Sequence, residues 1–416
     1  MSGLRPTLAR AGVVCVLTAL VAGACVLDAV RIVAIDVPAP SPAAARGDLL
    51  GAERVARYPV LAYRLVTALA TPRYARLREF EAIESGATLY RLRYRTPGVD
   101  GRLVVASGLV AIPHRRPFRS TIVYHHGTSA NRENVPSYPL SRRSFLLSST
   151  IAGTRSLLIA PDYVGLGGSE DRHPYLHAVT EASASIDLIR ASDALLESLS
   201  IDRPDPLFLM GYSQGGYSTL AAHRALEGLA RDEMKVEASV SISGPTDLRG
   251  ISLAQALTGT APSHAFYLAY TASAYAMAYD RPLETLLAEE YAERIWDVFD
   301  GHHATSEIVA ALPEDPRRLF RADFLEAYAA GGAHWFTDAL AANSVLDWTP
   351  EAPIRFLFGN DDVDVSRAEA RAGAGALRAR GAEAEAVSLG DLDHGKMMLS
   401  GIAQALRWLR EREAPR

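Results

Sequence analysis

Residues 206–217 read Pro-Leu-Phe-Leu-Met-Gly-Tyr-Ser-Gln-Gly-Gly-Tyr, and they restrict the fold more than any other stretch of the chain. An apolar run long enough for one buried strand stops at Gly211. Ser213 sits between small residues, and a helical pattern begins at once. This is G-x-S-x-G in the setting of strand, sharp turn and helix that gives the motif its meaning. Such a turn forces the serine backbone into a strained conformation. Gly211 and Gly215 must therefore lack side chains where strand and helix nearly touch. The hydroxyl is left at the carboxyl end of a sheet strand, with a helix N-terminus behind it.

The rest of the chain supplies a sheet for that strand. Leu89–Tyr94 and Leu103–Ile112 read as strands joined by a turn at Pro97–Gly101, and the alternation in the first suggests a sheet edge with one wet face. Thr121–Tyr124, Ser156–Ala160, Leu207–Met210, Val236–Ile242, Ile354–Phe358 and Ala384–Leu389 are further apolar runs of strand length. Helical patterns separate them at Val135–Ala152, Val179–Leu199, after Ser213 to about Leu229, and at Arg367–Arg380, with a closing helix to about Arg410. Continuous apolar runs alternating with helices mean a mostly parallel central sheet covered on both faces, the α/β class. Residues 46–82 read as mixed helix and loop, with Val60, Leu61, Leu65, Val66 and Leu69 on one helical face. The alternation stops over residues 249–347. This mostly helical run is denser in aromatics than the chain's 8%, Phe266, Tyr267, Tyr270, Tyr275, Tyr279, Trp296, Trp335 and Phe336 among them. It reads as a helical cap inserted between core segments 48–248 and 348–416.

A serine hydroxyl needs an adjacent base, and the base needs an anion that fixes its tautomer and stabilises its charged form. In an alternating core these groups belong at the carboxyl ends of later strands. Asp362 lies just past the strand ending at Phe358, with Asp361 and Asp364 as neighbouring rivals, and His394 lies in the loop after the last strand. Asp391 and Asp393 read as turn formers. The oxyanion of a tetrahedral intermediate needs donors: the backbone N–H of Gln214, and one from the loop after Tyr124, where Gly127 admits close approach and Thr128 adds a hydroxyl. His125 and His126 look like a metal pair only superficially, since no third ligand or H-E-x-x-H pattern accompanies them. The reading requires no cofactor and no metal.

The 416 residues are 49% hydrophobic and 22% charged with a net charge of −5, enough to bury a large core without disulfides. No basic cluster interleaves with aromatics, so nucleic acid is not an expected partner. Residues 1–37 read as a signal peptide or N-terminal anchor. Arg5 and Arg10 precede an apolar run from Ala11 to Leu27, and Ala22-Gly23-Ala24 offers a cleavage pattern with Cys25 directly after it. Both cysteines, Cys15 and Cys25, lie in that segment, so no disulfide is expected in the mature domain. Residues 38–47 read as a linker. Export to the cell envelope or beyond is the expectation, with membrane association through the N-terminal segment.

With these residues in hand the chain resembles the α/β-hydrolases over roughly residues 85–412, and more narrowly the secretory lipases of the yeast lipase A type and related bacterial esterases. The resemblance rests on His126-Gly127-Thr128 followed by Val135-Pro136-Ser137-Tyr138, on Pro161-Asp162-Tyr163-Val164-Gly165, on Gly211 to Gly216, and on His173-Pro174-Tyr175-Leu176. Separations of 149 residues from Ser213 to Asp362 and 32 from Asp362 to His394 also suit it. It differs from the yeast-type members in lacking their disulfides and in having little chain beyond the terminal helix, too little for their C-terminal flap. The resemblance implies a serine esterase or lipase acting on small-molecule or lipid esters, with Thr128 at the first oxyanion position. A capped serine peptidase and an inactive binding protein on the same fold are the alternatives. The former needs a fixed amine-binding group that the sequence does not show, and the latter usually lacks the serine or the histidine.

Overall fold

In the computed structural model, which describes residues 33–35, 45–71, 75–138, 141–259, 261 and 263–413, ten strands form one sheet. They are β1 (Val33–Ile35), β2 (Leu49–Tyr58), β3 (Ala87–Pro97), β4 (Leu103–Pro113), β5 (Thr121–His125), β6 (Leu157–Pro161), β7 (Leu207–Tyr212), β8 (Val236–Ile242), β9 (Ile354–Phe358) and β10 (Ala384–Ser388). Their order in the sheet is β1-β2-β3-β4-β6-β5-β7-β8-β9-β10. The first four are antiparallel to their neighbours, as is the β4–β6 pair, and every pair from β6 onward is parallel.

Period-two alternation divides each central strand between two cores. Leu157, Ile159, Leu207 and Leu209 face Ile186, Leu188 and Ile189 of the helix Ala178–Ser198 and Leu226 of the helix Gln214–Leu229. Leu158, Ala160, Phe208 and Met210 face the opposite way. There they meet Leu147 and Ile151 from the segment after Ser141, and Met397, Ile402 and Leu406 of the helix His394–Arg410. Both faces are dry, which is why these strands read as unbroken apolar runs.

Four expectations need correction. Residues 49–58 form β2 rather than helix or loop, because its register shifts near Gly51 and between Arg54 and Ala56 break the strand period. The helix Val60–Ala70 follows, but it buries Ala62 and Tyr63 and leaves Leu61 and Leu69 exposed. β3 does have a wetter face carrying Arg91 and Arg93, yet it is not an edge, since β2 and β1 pair outside it. The helix expected from Val135 begins only at Arg142, after Ser141, whose Oγ accepts from the Ser144 amide at 3.0 Å. The preceding Val135-Pro136-Ser137 is instead pinned to Asp162, whose carboxylate accepts from the Ser137 amide at 3.0 Å and from the Ser137 hydroxyl. Val33–Ile35, inside the stretch read as a targeting segment, pairs with β2, while residues 1–32 and most of the 38–47 linker lie outside the described residues.

Between β8 and β9 the chain forms helices and turns, including Leu253–Thr258, Ser263–Ala278, Ala322–Ala329 and Trp335–Ala342. Two polar ties fix this insertion to the core. Buried Glu369 accepts from the amides of Thr246 and Asp247, each at 2.9 Å. At the far end Asn343 accepts from the Ala178 amide at 2.9 Å, and its carbonyl takes the Tyr217 hydroxyl at 2.8 Å.

Leu209 is fully buried at the middle of the sheet. Leu209→Ala should lower the unfolding free energy by about 2–5 kcal/mol, read from the urea midpoint; a loss below about 1 kcal/mol would show that the sheet centre repacks around the void.

Candidate active site

The apolar strand β7 drives straight into the turn at Ser213, whose backbone sits at φ 58°, ψ −123°. A non-glycine residue pays for that region, by roughly 1–3 kcal/mol. Its neighbours explain why the turn is possible at all. A Cβ added at Gly211 would lie 2.1 Å from the Gly215 carbonyl oxygen, and one at Gly215 would lie 1.9 Å from that of His125. Strand β7, strand β5 and the helix Gln214–Leu229 therefore approach through glycine alone.

His394 begins the last helix, just past Asp393, whose side chain caps that helix by accepting from the Lys396 amide at 2.9 Å. Its Nδ1 lies 2.9 Å from Asp362 Oδ2 and 3.1 Å from Oδ1, and its Nε2 lies 2.9 Å from Ser213 Oγ. A carboxylate only accepts, so Nδ1 carries the hydrogen and Nε2 is left to accept from the serine. The Asp362 carboxylate is fully sealed from solvent, and the imidazole is 11% exposed. Asp362 Oδ1 also accepts from the amides of Asp364 at 3.1 Å and Val365 at 2.9 Å, which hold it in the turn after β9. Tyr212 supports the imidazole from below: its hydroxyl donates to the His394 carbonyl at 2.7 Å, and the rings lie 4.9 Å apart.

Of the rival acids, only Asp364 lies close to His394, and none of them is bonded to it. Asp361 is exposed, Asp364 accepts from Ser263, and Asp391 accepts from Asn360 at 2.9 Å. Among the described residues, Asp362, Asp364 and His394 are the grouping whose donor atoms lie close enough for a metal ion. Both imidazole nitrogens are already engaged there, one with Asp362 and one with Ser213. His125 is buried between Thr219 Oγ1 and Ser185 Oγ, each at 2.9 Å, and burial pushes it down to about 3.

Gln214 heads its helix, so its N–H has no partner within the helical ladder. Its side chain does a second task that the sequence did not reveal. Gln214 Nε2 lies 2.8 Å from Glu181 Oε1 and 2.8 Å from His173 Nε2, while His173 Nδ1 donates to the Val164 carbonyl at 2.8 Å. Glu181 also accepts from the Leu176 amide at 3.0 Å and from the Ser218 hydroxyl. The His173-to-Leu176 motif was a signal for this network, but nothing marked Glu181 among the four acids of its helix. Thr128 follows Gly127 in the loop after β5, and its Oγ1 lies 3.0 Å from the Tyr175 hydroxyl.

Two cavities flank Ser213. One of about 70 Å³ lies under the insertion, lined by Leu248, Leu253, Leu268, Phe336 and Leu340. The other, of about 210 Å³, is bordered by His394, Thr128, Tyr124, Tyr212 and Arg143. Tyr267 borders both. Of the other aromatics in the insertion, Phe336 reaches the smaller cavity, whereas Phe266, Tyr270 and Tyr275 are core.

No protein-family model matches the chain, and no curated protein matches it. Solved structures do. A protein of Legionella pneumophila, provisionally named a hydrolase, superposes with a TM-score of 0.81 at 27% identity, over 88% of this chain and 99% of its own. The chain has the α/β-hydrolase fold. A rice cell wall degrading esterase, LipA from Xanthomonas oryzae, superposes with a TM-score of 0.79 at 25% identity, over 89% of this chain and all (100%) of its own. Candida antarctica lipase A shares the fold at a TM-score of 0.64 and 16% identity, over 89% and 84% of the two chains. The α/β-hydrolase resembles lipase A and bacterial esterases, as its sequence motifs suggest.

Burial pushes Glu181 up to about 7 from an ordinary glutamate value of 4.5. The folded protein thus keeps a proton that the unfolded chain releases, so this stability is present at low pH and is lost as pH rises from about 4.5 through 7. Glu181→Gln should flatten the fall in Tm across that window in thermal melts. An unchanged slope would assign the pH dependence to other groups.

Proposed function

We propose that this α/β-hydrolase cleaves carboxylic esters through an acyl-enzyme on Ser213, with His394 as base and Asp362 as its orienting anion. The reading is carried by one observation, the chain of contacts from Asp362 through His394 to Ser213 Oγ. The esterase and lipase among the structures it resembles lend it further support.

Each step follows from where the protons sit. Ser213 gives its proton to His394 Nε2 as Oγ attacks the ester carbonyl, and the imidazolium that forms is stabilised by the sealed Asp362 carboxylate. The oxyanion takes donors from the Gln214 amide and the Thr128 amide. His394 returns the proton to the departing alcohol, and a water activated by the same nitrogen then releases the acid. The cavity of about 70 Å³ on the far side of Ser213 suits a short acyl chain. Export of the protein, read from residues 1–37, belongs to the same proposal.

A fluorophosphonate should label Ser213, and Ser213→Ala should abolish both the label and turnover of p-nitrophenyl esters, with the rate maximal for short acyl chains from acetate to butyrate. Absence of an adduct on the folded protein would defeat the reading. Tyr175 can donate to Thr128 Oγ1, which frees the threonine hydrogen for the oxyanion. Thr128→Val should then lower kcat by about ten-fold or more with little change in KM, a smaller loss than the roughly hundred-fold of a main oxyanion donor. Unchanged turnover would leave the oxyanion to backbone donors alone.

A further inference from the structure

The cavity of about 210 Å³ beside Ser213 has a wall of unusual electrostatics. Most of it is aromatic or aliphatic, with Tyr124, Leu146, Leu147, Tyr212 and Met398 among the lining residues, but Arg143 also borders it. Arg143 is half-buried near the start of the helix Arg142–Thr150. Its Nη1 lies 3.0 Å from His126 Nδ1, and among the described residues it forms no ion pair and no other hydrogen bond. The acids nearby are committed elsewhere. Asp162 accepts from Ser107 at 2.6 Å and from Ser137, and Asp362 from His394 and two amides. His126 brings no charge of its own, because burial and the neighbouring guanidinium hold its imidazole neutral. A guanidinium stays protonated in proteins and carries five donors in a planar fork, so one that faces a lined cavity without a carboxylate is an incomplete site.

Which half of an ester reaches this wall follows from proton bookkeeping. The departing alcohol oxygen must receive its proton from His394 Nε2, so the alcohol half lies on the side of Ser213 that His394 borders. His394 borders this cavity, and it is absent from the lining of the smaller apolar one. We infer that Arg143 forms an anion subsite for the alcohol half, which selects esters whose alcohol moiety carries a carboxylate or phosphate group. The inference rests on the ester-hydrolase reading above and deepens it. The guanidinium fork supplies paired donors to the anion, and the aromatic wall covers the body of the alcohol.

Butyrates of 3- and 4-hydroxybenzoate, compared with the matching carbamoylphenyl butyrates and corrected for their alkaline hydrolysis rates, test the preference. The native enzyme should favour the carboxylates in kcat/KM by about ten-fold or more, the effect of one charge-assisted contact. Arg143→Gln should bring that ratio close to one, and Arg143→Lys should restore part of it. If Arg143 serves only to hold His126 and the Gly127–Thr128 loop, its substitution lowers both esters together and leaves the ratio as it was, which overturns the inference. A binding measurement separates this from failure of the hydrolase reading. In Ser213→Ala, benzoate or phenyl phosphate should raise Tm above the value with benzamide, whichever anion fits better. No stabilisation by either anion sinks the subsite even if neutral esters are turned over. Stabilisation without any ester turnover would uphold the subsite and sink the esterase.

Discussion

A single backbone conformation, Ser213 at φ 58°, carries the architecture of the site. That conformation is stable only because β5, β7 and the following helix meet where Gly211 and Gly215 offer no Cβ. The close approach in turn needs the sheet to be parallel at this point, so that β5 and β7 end side by side and their following loops converge. Thr128 follows one of those strands and Gln214 the other. The groups proposed as oxyanion donors thus follow from the same strand register that places the serine. Two later strands then carry their loops to the same edge, Asp362 after β9 and His394 after β10.

The insertion between β8 and β9 is tied to this edge by buried polar contacts. Glu369 on the core helix binds its beginning and Asn343 its end, and Tyr217, one turn into the elbow helix, reaches the same Asn343 carbonyl. Each such bond contributes about 0.5–1.5 kcal/mol net, and leaving one of these buried groups without its partner would cost about 1–3 kcal/mol. Tyr175 continues the link by stacking on Tyr270 of the insertion at 4.5 Å, and Tyr270 stacks on Phe299 at 4.6 Å. Since Tyr267, on the same helix as Tyr270, borders both cavities, the position of the insertion decides the shape of each.

Much of this was legible in the residues because it follows from period and punctuation. Strands dry on both faces show as apolar runs, and β9, for instance, spans the residues its apolar run marked out. Ser213, Asp362 and His394 could be picked out because two of them follow strands and one sits within a motif whose geometry allows few residues. The failures share a cause. β2 carries register shifts, so its side chains do not alternate cleanly, and β3 looked like an edge because the preceding β2, which pairs outside it, was not recognised as a strand. The segment before Arg142 carries Pro136 and Pro139, which oppose a helix, and the Ser137 contacts to Asp162 pin its first residues instead. Tertiary hydrogen bonds between distant loops leave no periodic trace. Glu181, the acid in the network with Gln214 and His173, went unmarked for the same reason.

Three buried acids share one solution to a common problem, whereas buried Asp187 pairs with Arg46 and Arg190. Asp162, Glu181 and Glu369 are each raised by burial above the usual carboxylate range, and each is held by hydroxyls, amides or a side-chain amide rather than by a cation. Neutral donors suffice because a carboxylate accepts from several directions and can also keep its proton where burial is severe. A guanidinium has no such escape. It cannot shed its charge, and its donors need acceptors in one plane. The asymmetry explains how this fold can leave Arg143 near Ser213 without an acid of its own among the described residues, since Asp162 and Asp362 are already satisfied by the loops they stabilise. Moving an acid toward Arg143 would unpin either the Val135–Ser137 segment or the turn holding Asp362. The charge at that wall is therefore the cost of loops that satisfy themselves.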